Sequence, residues 1–169
     1  RATDRVSQYL IKHVIYDRPG RNFDDEFARV ILFKLFNKIE TWEAIRRRVG
    51  EVSSTAVLDG TVRDAVGRLA HEGRLYNAAY IMPPPRHLNG PKAVRHVDLL
   101  RQLLQDDMPG HVERAGSLGE VFRLLRDVPS FGPFLAFQYA IDLSYGPTLV
   151  HDEDQHVVAG PGALRGLRK

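Results

Sequence analysis

The sequence predicts an all-α, multi-helix bundle. Three observations carry this expectation. Apolar residues recur at helical spacing along most of the chain, capping residues and glycines bracket successive segments, and no stretch reads as a convincing strand. Thr3 or Asp4 can cap a first helix, in which Val6, Leu10, Ile11, Val14 and Ile15 form an apolar stripe that should end near Tyr16. Asp17 to Asn22 is a loop by composition. Asn22 followed by Asp24, Asp25 and Glu26 supplies a cap and an acidic first turn for a second helix, predicted to run to about Ile39. Phe27, Val30, Ile31, Leu32, Phe33, Leu35 and Phe36 surround that helix almost completely, which makes it the expected centre of the core. Arg29, Lys34 and Asn37 interrupt the apolar surface and must reach solvent or a partner.

Glu40-Thr41-Trp42 opens a third helix that Gly50 would close, with Trp42, Ile45 and Val49 inward. A fourth, from about Gly60 to Glu72, carries Val62, Ala65, Val66 and Leu69 and stops at Gly73. Tyr76 to Met82 is ambiguous between helix and extended chain, and Pro83-Pro84-Pro85 forces an extended, exposed loop. Pro91 starts a fifth helix with Val94, Val97, Leu100, Leu103 and Leu104 facing the core, and Asp106 to Gly110 ends it. Ser117-Leu-Gly-Glu120 is a capping box that launches a helix bearing Val121, Leu124 and Leu125. Val128-Pro129-Ser130-Phe131-Gly132 then separates two helical patterns, and Pro129 and Gly132 make a short hairpin the natural geometry. Pro133 suits the first turn of a final buried helix through Phe134, Leu135, Phe137, Ala140, Ile141 and Leu143. The start of that helix leaves backbone N–H groups free to hold a phosphate of a nucleic-acid backbone.

At 169 residues, 43% hydrophobic and 27% charged, the chain is expected to be a single helical domain spanning 1–169. It begins on Arg rather than Met, which suggests a fragment of a longer protein. The absence of cysteine excludes disulfides, a thiol nucleophile, Cys-ligated zinc and a Cys-ligated iron–sulfur cluster. No apolar run approaches the roughly 20 residues of a membrane span, so no membrane association and an intracellular location, cytoplasmic or nucleoid-associated, are expected. A net charge of +3 permits a polyanionic partner without demonstrating one. Arg46-Arg47-Arg48 is the densest basic run, and Lys92 belongs to a scatter of cations through the middle of the chain.

The order of hairpin, apolar helix, polar loop and Asp resembles the helix-hairpin-helix DNA glycosylases. Val128-Pro129-x-x-Gly132 matches their hairpin, and Asp154-x-x-Val157 falls where that superfamily carries its catalytic aspartate. A second resemblance covers nearly the whole chain. Arg1 to Leu10, Phe27 to Trp42, Tyr76 to Pro85, Gly132 to Asp142 and Val157 to Ala163 look like the helical domain of the 5-hydroxymethyl-deoxyuridine DNA kinases, within a wider set of DNA base hypermodification proteins. That resemblance implies a role in elaborating thymine-derived bases in DNA. The kinase chemistry of the family is associated with a separate P-loop module, and no G-x-x-x-x-G-K-[ST] occurs in this chain, so kinase activity by the chain alone is not expected.

His151 to His156 concentrates five ionisable side chains in six positions. Crowded carboxylates raise one another's pKa, which is how a general acid or base is made, and Asp154 is the residue that the hairpin spacing singles out. Asp152 and His156 stand four apart and could share a metal on a helix face, but the spacing matches no strong motif, so neither a metal nor another cofactor is expected. Glu40 is the second candidate catalytic carboxylate. Asn22, Arg29 and Asn37 offer the amide and guanidinium groups that a base-reading pocket needs, with Trp42, Tyr76, Asn77 and Tyr80 for stacking and edge contacts. Structural hydrogen bonding and core packing are the competing explanations for each of them. Gly132, Phe134, Arg46, Arg47 and Lys92 are the candidate contacts to the DNA backbone. Asp154 is expected at the mouth of a pocket shared with the hairpin helix and the Asn22–Glu40 segment.

Three functions follow. The chain can be a DNA-binding domain that flips a modified pyrimidine for group transfer on its 5-substituent, a non-catalytic DNA-binding module serving a separate P-loop kinase, or a base-excising glycosylase in which Asp154 stabilises oxocarbenium charge.

Overall fold

The helices begin where the sequence supplies an oxygen for otherwise unpaired N–H groups. In the computed structural model, which describes residues 4–17, 22–79 and 81–149, Asp4 accepts from the N–H groups of Val6 and Ser7 and starts α1, Arg5–Tyr9. The chain continues as a π-helical stretch, Leu10–Ile15, closed by Tyr16 N–H donating to Ile11 O at 3.1 Å. Asn22 Oδ1 accepts from Asp25 N–H at 3.1 Å and starts α2, Phe23–Phe36. Then come α3 (Ile39–Val49), α4 (Ser54–Leu58), α5 (Thr61–Glu72), α6 (Lys92–Gln105), α7 (Met108–Glu113), α8 (Leu118–Arg126) and α9 (Pro133–Ser144). No strand occurs among the described residues, so the all-α bundle is the observed class.

α2 is the central element. Every residue from Asp25 to Phe36 is buried, and the helix packs against the π-helical stretch, α3, α4, α6, α7 and α9. Phe27, Phe33 and Phe36 are almost wholly withdrawn from water, which contributes roughly 1.5–3 kcal/mol each. α5 lies against both α3 and α6, and α8 packs along α9. No described helix is long and apolar enough to cross a membrane.

Several details depart from expectation. The run predicted to continue to Ile39 is broken two residues earlier: Asn37 adopts the left-handed conformation at φ 49°, Lys38 is extended, and α3 starts afresh. Asparagine tolerates that conformation better than most residues, and here its amide oxygen accepts from Lys34 Nζ. Two short helices were not anticipated. α4 is capped by Ser53, and α7 occupies the stretch expected to be a stop, with Pro109 in its first turn, where no N–H is needed. The capping box of α8 is shifted, since Ser117 Oγ accepts from Glu120 N–H but the Glu120 carboxylate reaches back to Gly116 N–H at 2.8 Å.

The hairpin between α8 and α9 does not rely on Gly132. Phe131 N–H donates to Val128 O at 3.0 Å, and the left-handed residue of this turn is Ser130 at φ 79°. Gly132 has φ −71°, and a Cβ there would meet nothing within 4 Å. The proline-rich loop is extended as expected, but it is tied down: Pro83 O accepts from His96, Pro85 O accepts from Arg95, and Pro85 is buried.

Candidate functional site

Burying a charge is tolerable only when a partner replaces the lost water. The central helix buries Glu26, Arg29 and Lys34, and the partners of these residues define the polar geometry of the molecule. Arg29 Nε donates to Val14 O at 3.1 Å, satisfying a carbonyl left open at the end of the π-helical stretch. Lys34 Nζ lies 3.2 Å from Asp142 Oδ2 on α9, with side chains 5% and 0% exposed. The same ammonium donates to Asn37 Oδ1 at 2.8 Å. Glu26 sits against Gly146, where any Cβ would overlap its carboxylate. Burial pushes the Glu26 carboxyl above the usual range, with the Arg29 charge pulling the other way.

The predicted site residues separate into three places. The first is a cleft of ≈ 150 Å³ where α2 gives way to α3, lined by Arg5, Val6, Asn37, Lys38, Ile39, Glu40 and Asn77. Its walls are cross-braced: Asn77 N–H donates to Phe36 O at 3.1 Å, Asn77 Nδ2 donates to Asn37 O at 3.2 Å, and Asn77 Oδ1 accepts from Ala79 N–H at 2.9 Å. Lys38 Nζ donates to Arg74 O at 2.6 Å. Glu40 is exposed in the first turn of α3 and lines the same cleft.

The second place gathers Arg29, Trp42 and Arg46 with His13, Asp17 and Glu51 around a cavity of ≈ 20 Å³, room for about one water molecule. Trp42 packs edge-on against Phe33, with centroids 5.9 Å apart, at a core position rather than an open stacking platform. Arg46 pairs with Asp17 at 3.4 Å. The third place is a Tyr76–His96 pair at 2.7 Å, with Lys92 Nζ 4.3 Å from the Tyr76 ring centroid. Pro83 O can only accept, so His96 carries its proton on Nε2, and Nδ1 accepts from the Tyr76 hydroxyl. Burial, the largest influence, lowers the His96 pKa to about 4, and burial also raises the Tyr76 pKa.

The remaining candidates are dispersed. Asn22 is an exposed helix cap whose side-chain oxygen is already occupied by Asp25 N–H. Arg47 is exposed in the last turn of α3, while its neighbour Arg48 pairs with Glu72 at 2.6 Å. Gly132 and Phe134, the latter 41% exposed, stand at the open N-terminal end of α9, where no side chain caps the helix. Tyr80, Asp154 and the surrounding His151–His156 cluster lie outside the described residues. Among the described residues no group of three or more His, Asp or Glu is arranged to hold a metal.

Sequence reasoning missed Asp142, His96 and Arg5. A signal existed for the first: Lys34 and Asp142 are charges of opposite sign, each embedded in an apolar helical run. Nothing local marked His96 or Arg5.

The chain matches the family described as 5-hmdU DNA kinase, helical domain, over residues 1–169. No curated protein and no solved structure matches it.

Proposed function

We propose, from the premise that this chain belongs to the 5-hmdU DNA kinase helical-domain family, that it binds DNA in a thymine/5-hydroxymethyluracil hypermodification system and presents an extruded pyrimidine for group transfer on the 5-substituent. The observation that supports this best is the cleft at the α2–α3 junction. Arg5, Asn37 and Glu40 line it together, which brings a guanidinium donor, a carboxamide whose oxygen is taken by Lys34, and a carboxylate acceptor to one cleft. A uracil-type base offers the complementary edge, with two carbonyl oxygens flanking an N–H. Flipped bases are read on that edge because pairing no longer occupies it. Ile81, 83% exposed and just beyond Asn77 in the chain, is an apolar side chain of the kind that fills the gap left in a base stack.

The backbone contacts in this proposal come from exposed Arg47, from Arg46, from Lys92 beside Tyr76, and from the uncapped N–H groups after Gly132. Group transfer requires a donor. Since the chain carries no P-loop motif, the proposal assigns donor binding to a separate kinase module and substrate presentation to this domain. Base excision is the less favoured alternative, because it rests on Asp154 alone.

Fluorescence anisotropy with a labelled oligonucleotide carrying 5-hydroxymethyluracil, measured across a salt series, tests the proposal. Affinity should fall with a log–log slope of about −0.9 per phosphate contact on duplex DNA, and of about −0.7 on single strands. Arg46→Glu with Arg47→Glu should weaken binding to all sequences alike and flatten the slope. Salt-insensitive binding, or none at low ionic strength, would rule the nucleic-acid role out.

A further inference from the structure

Asn37 occupies an unusual position. It ends the central helix in a left-handed conformation, lines the α2–α3 cleft, and receives a hydrogen bond from a buried ammonium. The orientation of a carboxamide is usually ambiguous, because its oxygen and nitrogen ends are alike in shape. Here the partner decides it. An ammonium only donates, so the end facing Lys34 must be Oδ1, and the NH₂ group is the end left for the cleft.

Two further features hold the amide in that orientation. Lys34 is itself fixed by Asp142, 3.2 Å away and wholly buried, so the clamp is a charge-assisted bond from a group with little freedom to move. The backbone of Asn37 is pinned from both sides, by its own N–H on Phe33 O at 2.8 Å and by Asn77 Nδ2 on its carbonyl at 3.2 Å. A buried ion pair is a poor device for stability alone, since well-packed apolar residues of similar volume often do as well or better. Orienting a cleft donor is a use that apolar residues cannot serve.

We infer that Asn37 is the specificity-determining residue of the cleft: clamped by Lys34 and Asp142, its NH₂ donates to the O4 carbonyl of a uracil-type base and rejects a cytosine-type base, which carries an amino group there. Lys34 and Asp142 are positioning residues, acting through the amide without touching the base. The inference rests on the cleft binding a base as proposed above. A freely rotating asparagine would accept either partner by turning over, whereas the clamped amide reads the base in one sense.

Asn37→Asp tests it. Aspartate tolerates the left-handed backbone, keeps an acceptor for Lys34, and replaces the cleft-facing donor with an acceptor. Its added negative charge weakens binding to any DNA, so the readout is a ratio: affinity for a 5-hydroxymethyluracil oligonucleotide over affinity for the same oligonucleotide carrying 5-hydroxymethylcytosine. Wild type should favour the uracil form, and Asn37→Asp should cut the ratio by about tenfold or more, the discrimination typical of one good base contact. The double variant Lys34→Met with Asp142→Leu removes both members of the clamp together, and should reduce the ratio several-fold while the domain still melts cooperatively.

The outcomes separate the two claims. If wild type binds neither oligonucleotide, the base-binding function fails, and this inference with it. If wild type prefers the uracil form but Asn37→Asp retains the preference, the function stands and the assignment of Asn37 is wrong. A wild type that binds both forms equally overturns the assignment too. A change in melting temperature with an unchanged ratio would make Asn37 a helix terminator only.

Discussion

His96 should make the fold acid-sensitive at a pH set by its burial. The ring is 0% exposed, donates from Nε2 to Pro83 O at 3.0 Å and accepts from Tyr76 at Nδ1, so the folded protein holds it neutral. Its pKa falls from 6.5 to about 4, chiefly through desolvation, with the charges of Lys92 and Arg95 acting in the same direction and the Pro83 carbonyl opposing. The unfolded chain therefore takes up this proton near pH 6.5, well before the folded one. Stability from this group is fully present above about pH 6.5, declines as pH falls, and levels off near pH 4. At 1.36 kcal/mol per pKa unit the loss is about 3 kcal/mol, a large part of the roughly 5–15 kcal/mol that keeps a typical domain folded. Urea unfolding at a series of pH values between 7.5 and 4, on wild type and on His96→Gln, isolates the effect. Glutamine does not titrate, so the stability difference between the two proteins should shift by about 3 kcal/mol in favour of the variant across that range. Glu26, whose raised pKa favours the folded state as pH falls, contributes to both proteins and cancels. A difference that stays constant with pH would mean that the His96 pKa is unshifted and the ring solvated.

Breaking the buried pair singly, as Lys34→Met or Asp142→Leu, should cost about 3–5 kcal/mol by removing one member of a buried ion pair, while the double variant should recover most of it; a double variant as unstable as either single would refute the pairing. Gly146→Ala pushes a methyl into the Glu26 carboxylate and should destabilise by about 1–3 kcal/mol. Glu26→Ala should relieve that cost, and a double-mutant cycle showing no coupling would disprove the contact. Ser130→Gly should stabilise by up to about 1 kcal/mol, because it removes a side chain from a left-handed position, whereas Gly132→Ala should stay within about 0.5 kcal/mol of wild type in thermal unfolding.

What the sequence made legible was local. Asp4, Asn22 and Ser117 start helices because each oxygen needs only an N–H two or three residues away, and such pairings are written into adjacent letters. The burial of α2 was equally plain, since apolar residues all round a helix leave it no solvent face. The shortfalls are of two kinds. α4 and α7 are too short to show a period, and they are helical because their neighbours enclose them. The turn before α9 takes its left-handed residue at Ser130, although Gly132 is the residue with intrinsic freedom there; the hydrogen bond from Phe131 to Val128 sets the geometry. For the site, residue type proved a weaker guide than partner. Asn22 and Asn37 are the same side chain, each at the end of a helical segment. One has its oxygen taken by the helix it caps, and the other has its oxygen taken by a buried lysine, which leaves its nitrogen end toward the cleft.

The distribution of charge along α2 explains why the cleft forms at one end of that helix. Glu26 and Arg29 lie in its first half, and Arg29 is engaged with the π-helical stretch through the Val14 carbonyl. That half meets a cavity with room for about one water, too small for a base. At the other end the helix stops after Phe36, and Lys38 turns outward to the Arg74 carbonyl. The chain therefore leaves the core at the point where Lys34 delivers its hydrogen bond. An internal ion pair placed mid-helix would meet only packed side chains. Placed one turn before a left-handed residue, it holds an amide that lines the α2–α3 cleft, so the energetic cost of burying Lys34 and Asp142 is spent at the end of α2 where the proposed donor faces its ligand.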